Sequence, residues 1–219
     1  RHAAHRDVLA LMLACLGHSV PATAEALRAG AHQVDITPPA FPVIVNAMFT
    51  ERTADRVVDP LFAKALVLES GDGVMAFCVV DSCMVPRDLV DRARELAARA
   101  SGLPVERMLI SATHTHSAPS AMGCLGSRAD PAYVAWLPAR IAEAIAGAAA
   151  RRAPARGGWT AGDDWVHTFN RRWVRRPDRL MQDPFGDTTV RAHMHPGYQS
   201  PDVVGPSGPV DPALTLLGV

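Results

Sequence analysis

The stretch VMAFCVVDSCMVPRDLVDRARELAARASGLPVERMLISATHTHSAP, residues 74–119, decides the fold. VMAFCVVD is a short apolar run of β-forming residues and reads as a strand. PRDLVDRARELAARASG follows, with Pro86 at its start, Leu89, Val90, Ala93, Leu96 and Ala97 at helical spacing, and Gly102 just past its end. That pattern predicts an amphipathic helix with a start and a stop. RMLISA is the next strand, and HTHSAP is the loop at its C-terminal end. Strand, helix, strand is the unit of an α/β layered domain with a mixed, partly parallel sheet. In such sheets sites gather at the C-terminal ends of strands, and Asp81 and His114 both fall at ends of that kind.

Working outward, LFAKALVLES (residues 61–70) pairs with VMAFCVVD across Gly71-Asp72-Gly73 as a predicted hairpin. AGAHQVDITPP (29–39) reads as a short strand that Pro38-Pro39 ends, because proline cannot donate to a ladder. Residues 41–60 read as irregular and surface-lying. DPAYVAWLPARIAEAIAGAAARR (130–152) predicts a second helix, bent or interrupted at Pro138. After Arg156 the character changes. RGGWTAG offers one more strand, and residues 163–212 are long, polar and rich in proline and glycine, the composition of a functional or disordered loop. ALTLLGV (213–219) reads as the beginning of a buried strand, so the sheet is expected to be incomplete at its C-terminal end.

The chain has 219 residues, 48% hydrophobic, with a formal net charge of zero. Such balance argues against nucleic acid as a partner and allows at most peripheral membrane contact. RHAAHR is a basic start, VLALMLACLG a short apolar core, and small residues surround Ala22 and Ala24. That order predicts a signal peptide over residues 1–24 and a secreted or periplasmic protein. The apolar run is too short to span a bilayer, which takes about 20 residues. Cys15 sits in a poor lipoprotein context. Cys78, Cys83 and Cys124 remain, an odd number without CxxC spacing, and are assigned to packing.

His114 and His116 are two apart in an extended segment, so both side chains can face one cavity. Imidazole is the commonest neutral metal ligand. His193 and His195 form a second such pair, within a Pro/Gly-rich loop without a flanking strand. His32 and His167 are isolated and read as surface or core residues. FNRR places Asn170, Arg171 and Arg172 after an aromatic residue, where an arginine could hold a carboxylate, a phosphate or a developing oxyanion, or simply face solvent. GxSxG, P-loop and HExxH motifs are absent from the sequence.

THTHSAP (113–119) resembles the THTHSGP signature of the neutral/alkaline, non-lysosomal ceramidases, zinc-dependent amidases that cleave the N-acyl bond of ceramide. VDITPP resembles that family's opening strand, VVDPLFAKALVLESGDGVMAFCVVD its first hairpin, and FNRR the place of its Asn-Arg-Ser motif. SPDVVGPSGPVDP resembles bacterial ceramidase-like relatives. The resemblance implies that residues 25–219 are the N-terminal portion of a ceramidase-like zinc hydrolase domain. It implies His114 as a zinc (Zn2+) ligand, His116 as a catalytic group beside the metal, and Arg171 as a catalytic group contributed by the Asn-Arg-Ser place. The family's other zinc ligands, a histidine in an apolar-His-Pro context, a glutamate and a tyrosine, follow the strand that ALTLLGV resembles. His195-Pro196 precedes that strand, so the role is not carried to it. Ala112, Ala118 and Ser120 replace glycines of the signature, and Arg172 replaces the serine of Asn-Arg-Ser. The implied activity is zinc-dependent hydrolysis of a lipid N-acyl amide, ceramide to sphingosine and fatty acid. The alternatives are another exported N-acyl amide or ester, and a non-catalytic binding module.

Overall fold

Two strands that are not consecutive in the chain's hairpins, β5 (Gly73–Val80) and β6 (Met108–Ala112), lie side by side in parallel, Ala76 opposite Met108 and Val80 opposite Ala112. A parallel pair needs a crossover, and helix α1 (Arg87–Ser101) supplies it. The computed structural model describes residues 26–47 and 49–219. The expected signal peptide lies outside them. The described residues form two compact units, divided between Arg156 and Gly157.

The first unit is built on a five-stranded sheet in the order β6-β5-β4-β1-β7, with β1 (Arg28–Asp35), β4 (Phe62–Ser70) and β7 (Ala153–Pro154). Only β5–β6 is parallel; β1–β4, β4–β5 and β1–β7 are antiparallel. The mixed, partly parallel sheet read from the sequence is present. Alternation sets its two faces. Ala63, Ala65 and Val67 on β4 and Ala76, Cys78 and Val80 on β5 are buried on the face covered by helix α2 (Pro131–Ala150), against which α1 packs. Met75, Val79 and Leu109 point from the other face and are exposed.

Each helix obeys its local code. Helix α1 buries Leu89, Val90, Ala93 and Ala97, and Gly102 closes it at φ 74, a conformation only glycine enters cheaply, with its N–H bonded to Ala98 O. Helix α2 begins at Asp130, whose Oδ1 accepts the Tyr133 N–H at 3.0 Å, with Pro131 in the first turn. Of the two outcomes expected at Pro138, a bend or an interruption, the interruption does not occur. Pro138 is fully buried, and the helix is a single element of 20 residues because packing of Leu137, Ile141 and Ile145 outweighs the one lost N–H donor. Among the described residues no helix is long and apolar enough to cross a membrane.

Residues 41–60 depart from the surface-lying reading. They contain the hairpin β2 (Val43–Val45) and β3 (Arg52–Ala54), and Val43, Asn46 and Ala47 are buried. The reason is a polar partner rather than an apolar one. β2 docks on residues 118–130, with Ser120 N–H to Ile44 O at 2.7 Å and Ser127 Oγ to Val45 O at 3.1 Å.

The second unit holds a three-stranded antiparallel sheet, β10-β9-β11, with β9 (Trp173–Arg175), β10 (Ala192–His193) and β11 (Val203–Pro206), and a ribbon of β8 (Gly158–Asp163) with β12 (Ala213–Gly218). Residues 163–212 are therefore not one structureless loop, and His193 does lie in a strand. The run read as a buried, unpartnered strand has a full antiparallel partner in β8, from Ala213↔Asp163 to Gly218↔Gly158, yet both strands are exposed throughout. Short strands broken by prolines give too weak a period to be seen in sequence.

Strand β1 approaches α2 so closely that a Cβ on Gly30 would fall 2.2 Å from Ala148 O. Gly30→Ala should therefore destabilise by about 2 kcal/mol or more, since only backbone movement relieves the clash. Gly123→Ala, whose added carbon meets nothing nearer than 3.5 Å, should leave the urea midpoint nearly unchanged. Equal midpoints for the two variants would contradict the packing described.

Candidate metal centre

The parallel pairing puts the residues after β5 beside those after β6. Thr113 N–H bonds Val80 O at 3.0 Å, and His114 N–H bonds Ser82 O at 2.9 Å. The ladder thus continues two residues beyond both strands before the chains part. His114 sits at φ 63, left-handed and unfavourable for a residue with a Cβ. This turn swings its ring back toward Cys83. His114 Nδ1 lies 2.9 Å from Cys83 O, and a carbonyl can only accept. The proton of a neutral His114 is therefore on Nδ1, and the Nε2 lone pair is free.

His116 Nε2 stands 3.3 Å from that Nε2, with the two rings edge to face at 81° and centroids 4.9 Å apart. Two imidazole nitrogens on one tetrahedral zinc at ~2.0–2.1 Å each would be roughly 3.3 Å apart. The pair is spaced as two ligands of one ion would be. Without an ion, the His116 Nε2–H can donate to His114. Both histidines are exposed and open to a ligand.

Cys83, His114 and His116 can present one donor atom each within 4.8 Å of one another, the only such group of three among the described residues. The cysteine is the weaker member. Its Sγ is 3.6 Å from His114 Nδ1, the nitrogen already committed to the carbonyl. Burial, and then nearby Cys124, push its thiol above the ordinary cysteine range, so it stays protonated. The main contribution of Cys83 is its backbone oxygen. Reading it as a packing residue accounts for the buried side chain and misses the carbonyl. No residue-type signal could have found it; its only mark in the sequence is a place two residues past Asp81, just beyond β5. Asp81 itself, at the same end, is structural. Its Oδ2 accepts Phe62 N–H at 2.9 Å and Lys64 Nζ at 3.2 Å, locking the β4–β5 pair.

The histidine loop is clamped from behind. Buried Asn46 donates through Nδ2 to Ser120 Oγ at 3.1 Å and Met122 O at 2.7 Å. Asp130 Oδ2 accepts Ile44 N–H at 3.1 Å while Oδ1 caps α2. Arg128 grips Glu51 with two guanidinium N–H groups, at 2.9 and 2.6 Å, which holds the Glu51 carboxyl down to about 2. A cavity of about 640 Å³ opens beside the loop. Thr115, His116 and Ser117 line one side, and Phe41, Val43, Val45 and Leu61 make it largely apolar.

The other sequence candidates have local surroundings of their own. Arg171 belongs to the second unit and lines a cavity of that unit. His32 is half-buried on β1 with its ring against Gly147, and His167 is exposed and hydrogen-bonded to Asp164. His193 Nδ1 accepts the His195 N–H at 3.3 Å, a local turn contact.

A layered α/β unit with paired histidines at a strand end is the architecture of a metal-site candidate. No family model matches the chain, and no curated protein matches it. Solved structures do. The chain is similar to neutral ceramidase from Pseudomonas aeruginosa, with a TM-score of 0.57 and 20% identity over 74% of this chain. It is also similar to a ceramidase complexed with C2, with a TM-score of 0.51 and 19% identity over the same share. The chain spans about 30% of the length of each. Over that part its fold is ceramidase-like, as the THTHSAP resemblance anticipates.

Cobalt(II) or zinc should bind this chain through His114 Nε2, with His116 beside the ion. His114→Ala should weaken binding by at least about tenfold, His116→Ala by less, and His193→Ala and His195→Ala should have no effect. Affinity should fall as pH falls, because protons compete for the same ring nitrogens. Titrations in which the second histidine pair governs affinity would refute the assignment.

Proposed function

We propose that the chain carries part of the active site of an exported zinc hydrolase that cleaves the N-acyl amide of a lipid, with ceramide as the leading substrate. The observation that supports this most is the largely apolar cavity with His116 on its wall. A cavity of that character suits an acyl or alkyl chain better than a polar amide, and each methylene buried there contributes about 0.8 kcal/mol. The ceramidase-like fold points the same way. Export rests on the residue order of positions 1–24.

In this reading His114 Nε2 holds the metal, with Nδ1 fixed on the Cys83 carbonyl. Zinc bound there would polarise the amide carbonyl and supply a hydroxide near neutral pH. His116, with Nε2 at the metal side and its ring at the cavity, moves a proton to the departing amine nitrogen. Thr115 and Ser117 line the same wall and can orient the amide. The apolar residues of β2 and its neighbours exclude water from the chain. Arg171, by its resemblance to the family's arginine, orients an acyl or head-group oxygen.

The test is hydrolysis of a C16 ceramide and of a short N-acetyl analogue. His116→Ala should lower kcat on both by about 100-fold or more. Ala54→Trp, which fills the cavity from β3, should raise KM for the long-chain substrate far more than for the acetyl one. Equal effects on both chain lengths would remove the cavity from the account, and full activity without His116 would remove the mechanism.

A further inference from the structure

Four consecutive residues, Arg56 to Asp59, line the cavity beside the histidine loop, in the stretch between β3 and β4. Val57 and Val58 continue its apolar wall, and Val58 is 85% exposed. Arg56 and Asp59 break that wall. They are exposed, and they are the one guanidinium and the one carboxylate that line the cavity. Among the described residues neither makes a hydrogen bond or an ion pair, with the other or with a third group. Arg52 and Asp55 are unpaired too, but they lie off the cavity, where water serves them. Glu51 is paired with Arg128 and Lys64 with Asp81.

A lipid lying in this cavity covers both charges. An uncharged head would take them out of water and return nothing, which costs free energy. An anionic head would satisfy Arg56 and meet the Asp59 carboxylate. A cationic head would do the reverse. A head carrying both signs answers both, and the apolar surroundings keep each attraction poorly screened.

We propose that Arg56 and Asp59 select a zwitterionic head: the lipid amide admitted here carries a phosphodiester, taken by Arg56, and an ammonium, taken by Asp59. The planar guanidinium fork matches two phosphate oxygens. A quaternary ammonium is also attracted to the ring of Phe41, which lines the same cavity. The proposal rests on the lipid-amide reading above and narrows it to lipids with a phosphocholine-type head. In such lipids the head is a few bonds from the amide nitrogen, so one cavity holds both the head and His116.

Calorimetry on the full 219-residue chain with three probes of one tail tests this: dodecylphosphocholine, dodecyl phosphate and dodecyl maltoside, each below its micelle concentration. Dodecylphosphocholine should bind at least about tenfold more tightly than either of the others, the worth of a charge-assisted hydrogen bond. Arg56→Gln should remove most of its advantage over the maltoside and leave maltoside binding unchanged. Asp59→Asn should do the same, and should raise the affinity for dodecyl phosphate because the repelling carboxylate is gone. Neither side chain makes a hydrogen bond or ion pair among the described residues, so both variants should keep the parent melting temperature. Equal binding of the three probes, or variants that leave the preference intact, would overturn the proposal.

Hydrolysis separates the head selection from the reading it rests on. N-hexanoyl sphingosylphosphocholine should be cleaved with a kcat/KM about tenfold above that of N-hexanoyl sphingosine, and Arg56→Gln should level the two. Equal values in the parent chain would overturn the head selection alone. No cleavage of either by the zinc-loaded protein, with the probe preference intact, would overturn the hydrolase reading and leave the zwitterion site standing.

Discussion

The hydrogen bond between His114 Nδ1 and the Cys83 carbonyl is the contact on which the candidate site rests. It chooses the tautomer, fixes the ring plane and turns Nε2 toward His116. None of this is a property of the THTH sequence by itself. It exists because β5 and β6 are parallel neighbours in register, Val80 against Ala112, so the chain leaving one strand meets the chain leaving the other. The register in turn rests on α1, whose buried Leu89, Val90, Ala93 and Ala97 return the chain to the sheet. A left-handed His114 is the local cost of bending the ring back, offset by the backbone hydrogen bonds from Thr113 N–H to Val80 O and from His114 N–H to Ser82 O.

A second constraint holds the loop from outside. The hairpin of β2 and β3 lies on residues 118–130 through Asn46, Asp130 and the Arg128–Glu51 pair. These contacts are mostly hydrogen bonds between backbone and short polar side chains, some fully buried. An amide such as Asn46 is tolerated there because its donors and its oxygen are all taken, the oxygen by Cys124 at 3.3 Å. The same hairpin forms the apolar wall of the cavity, so one element both steadies the histidines and shapes what can approach them.

These two layers differ in how readable they were. The strand–helix–strand unit was legible because each element carries its own signal: a short run of apolar β-forming residues in β5, a 3.6-residue repeat in α1, glycine at its end. The pairing of His114 and His116 was legible from spacing and from strand-end placement. The Cys83 carbonyl was not, because a backbone oxygen has no residue-type signature and its role appears only once the two strands are neighbours. The docking of residues 41–60 was hidden for a similar reason: its partners are 70 to 90 residues away in sequence and polar. Pro138 does not interrupt its helix because it and its neighbours Leu137, Ile141 and Ile145 are fully buried, a packing gain that the local rule does not see.

The account's central claim is that the Cys83 carbonyl fixes His114 as the Nδ1–H tautomer, with Nε2 as the metal-facing atom. Long-range proton–nitrogen NMR of the imidazoles, recorded without and with zinc, measures this directly. The account predicts a protonated Nδ1 on His114 in both states and a zinc-induced shift at its Nε2, accompanied by a shift at His116 Nε2. A protonated Nε2 on His114, or a zinc shift at its Nδ1, would contradict it.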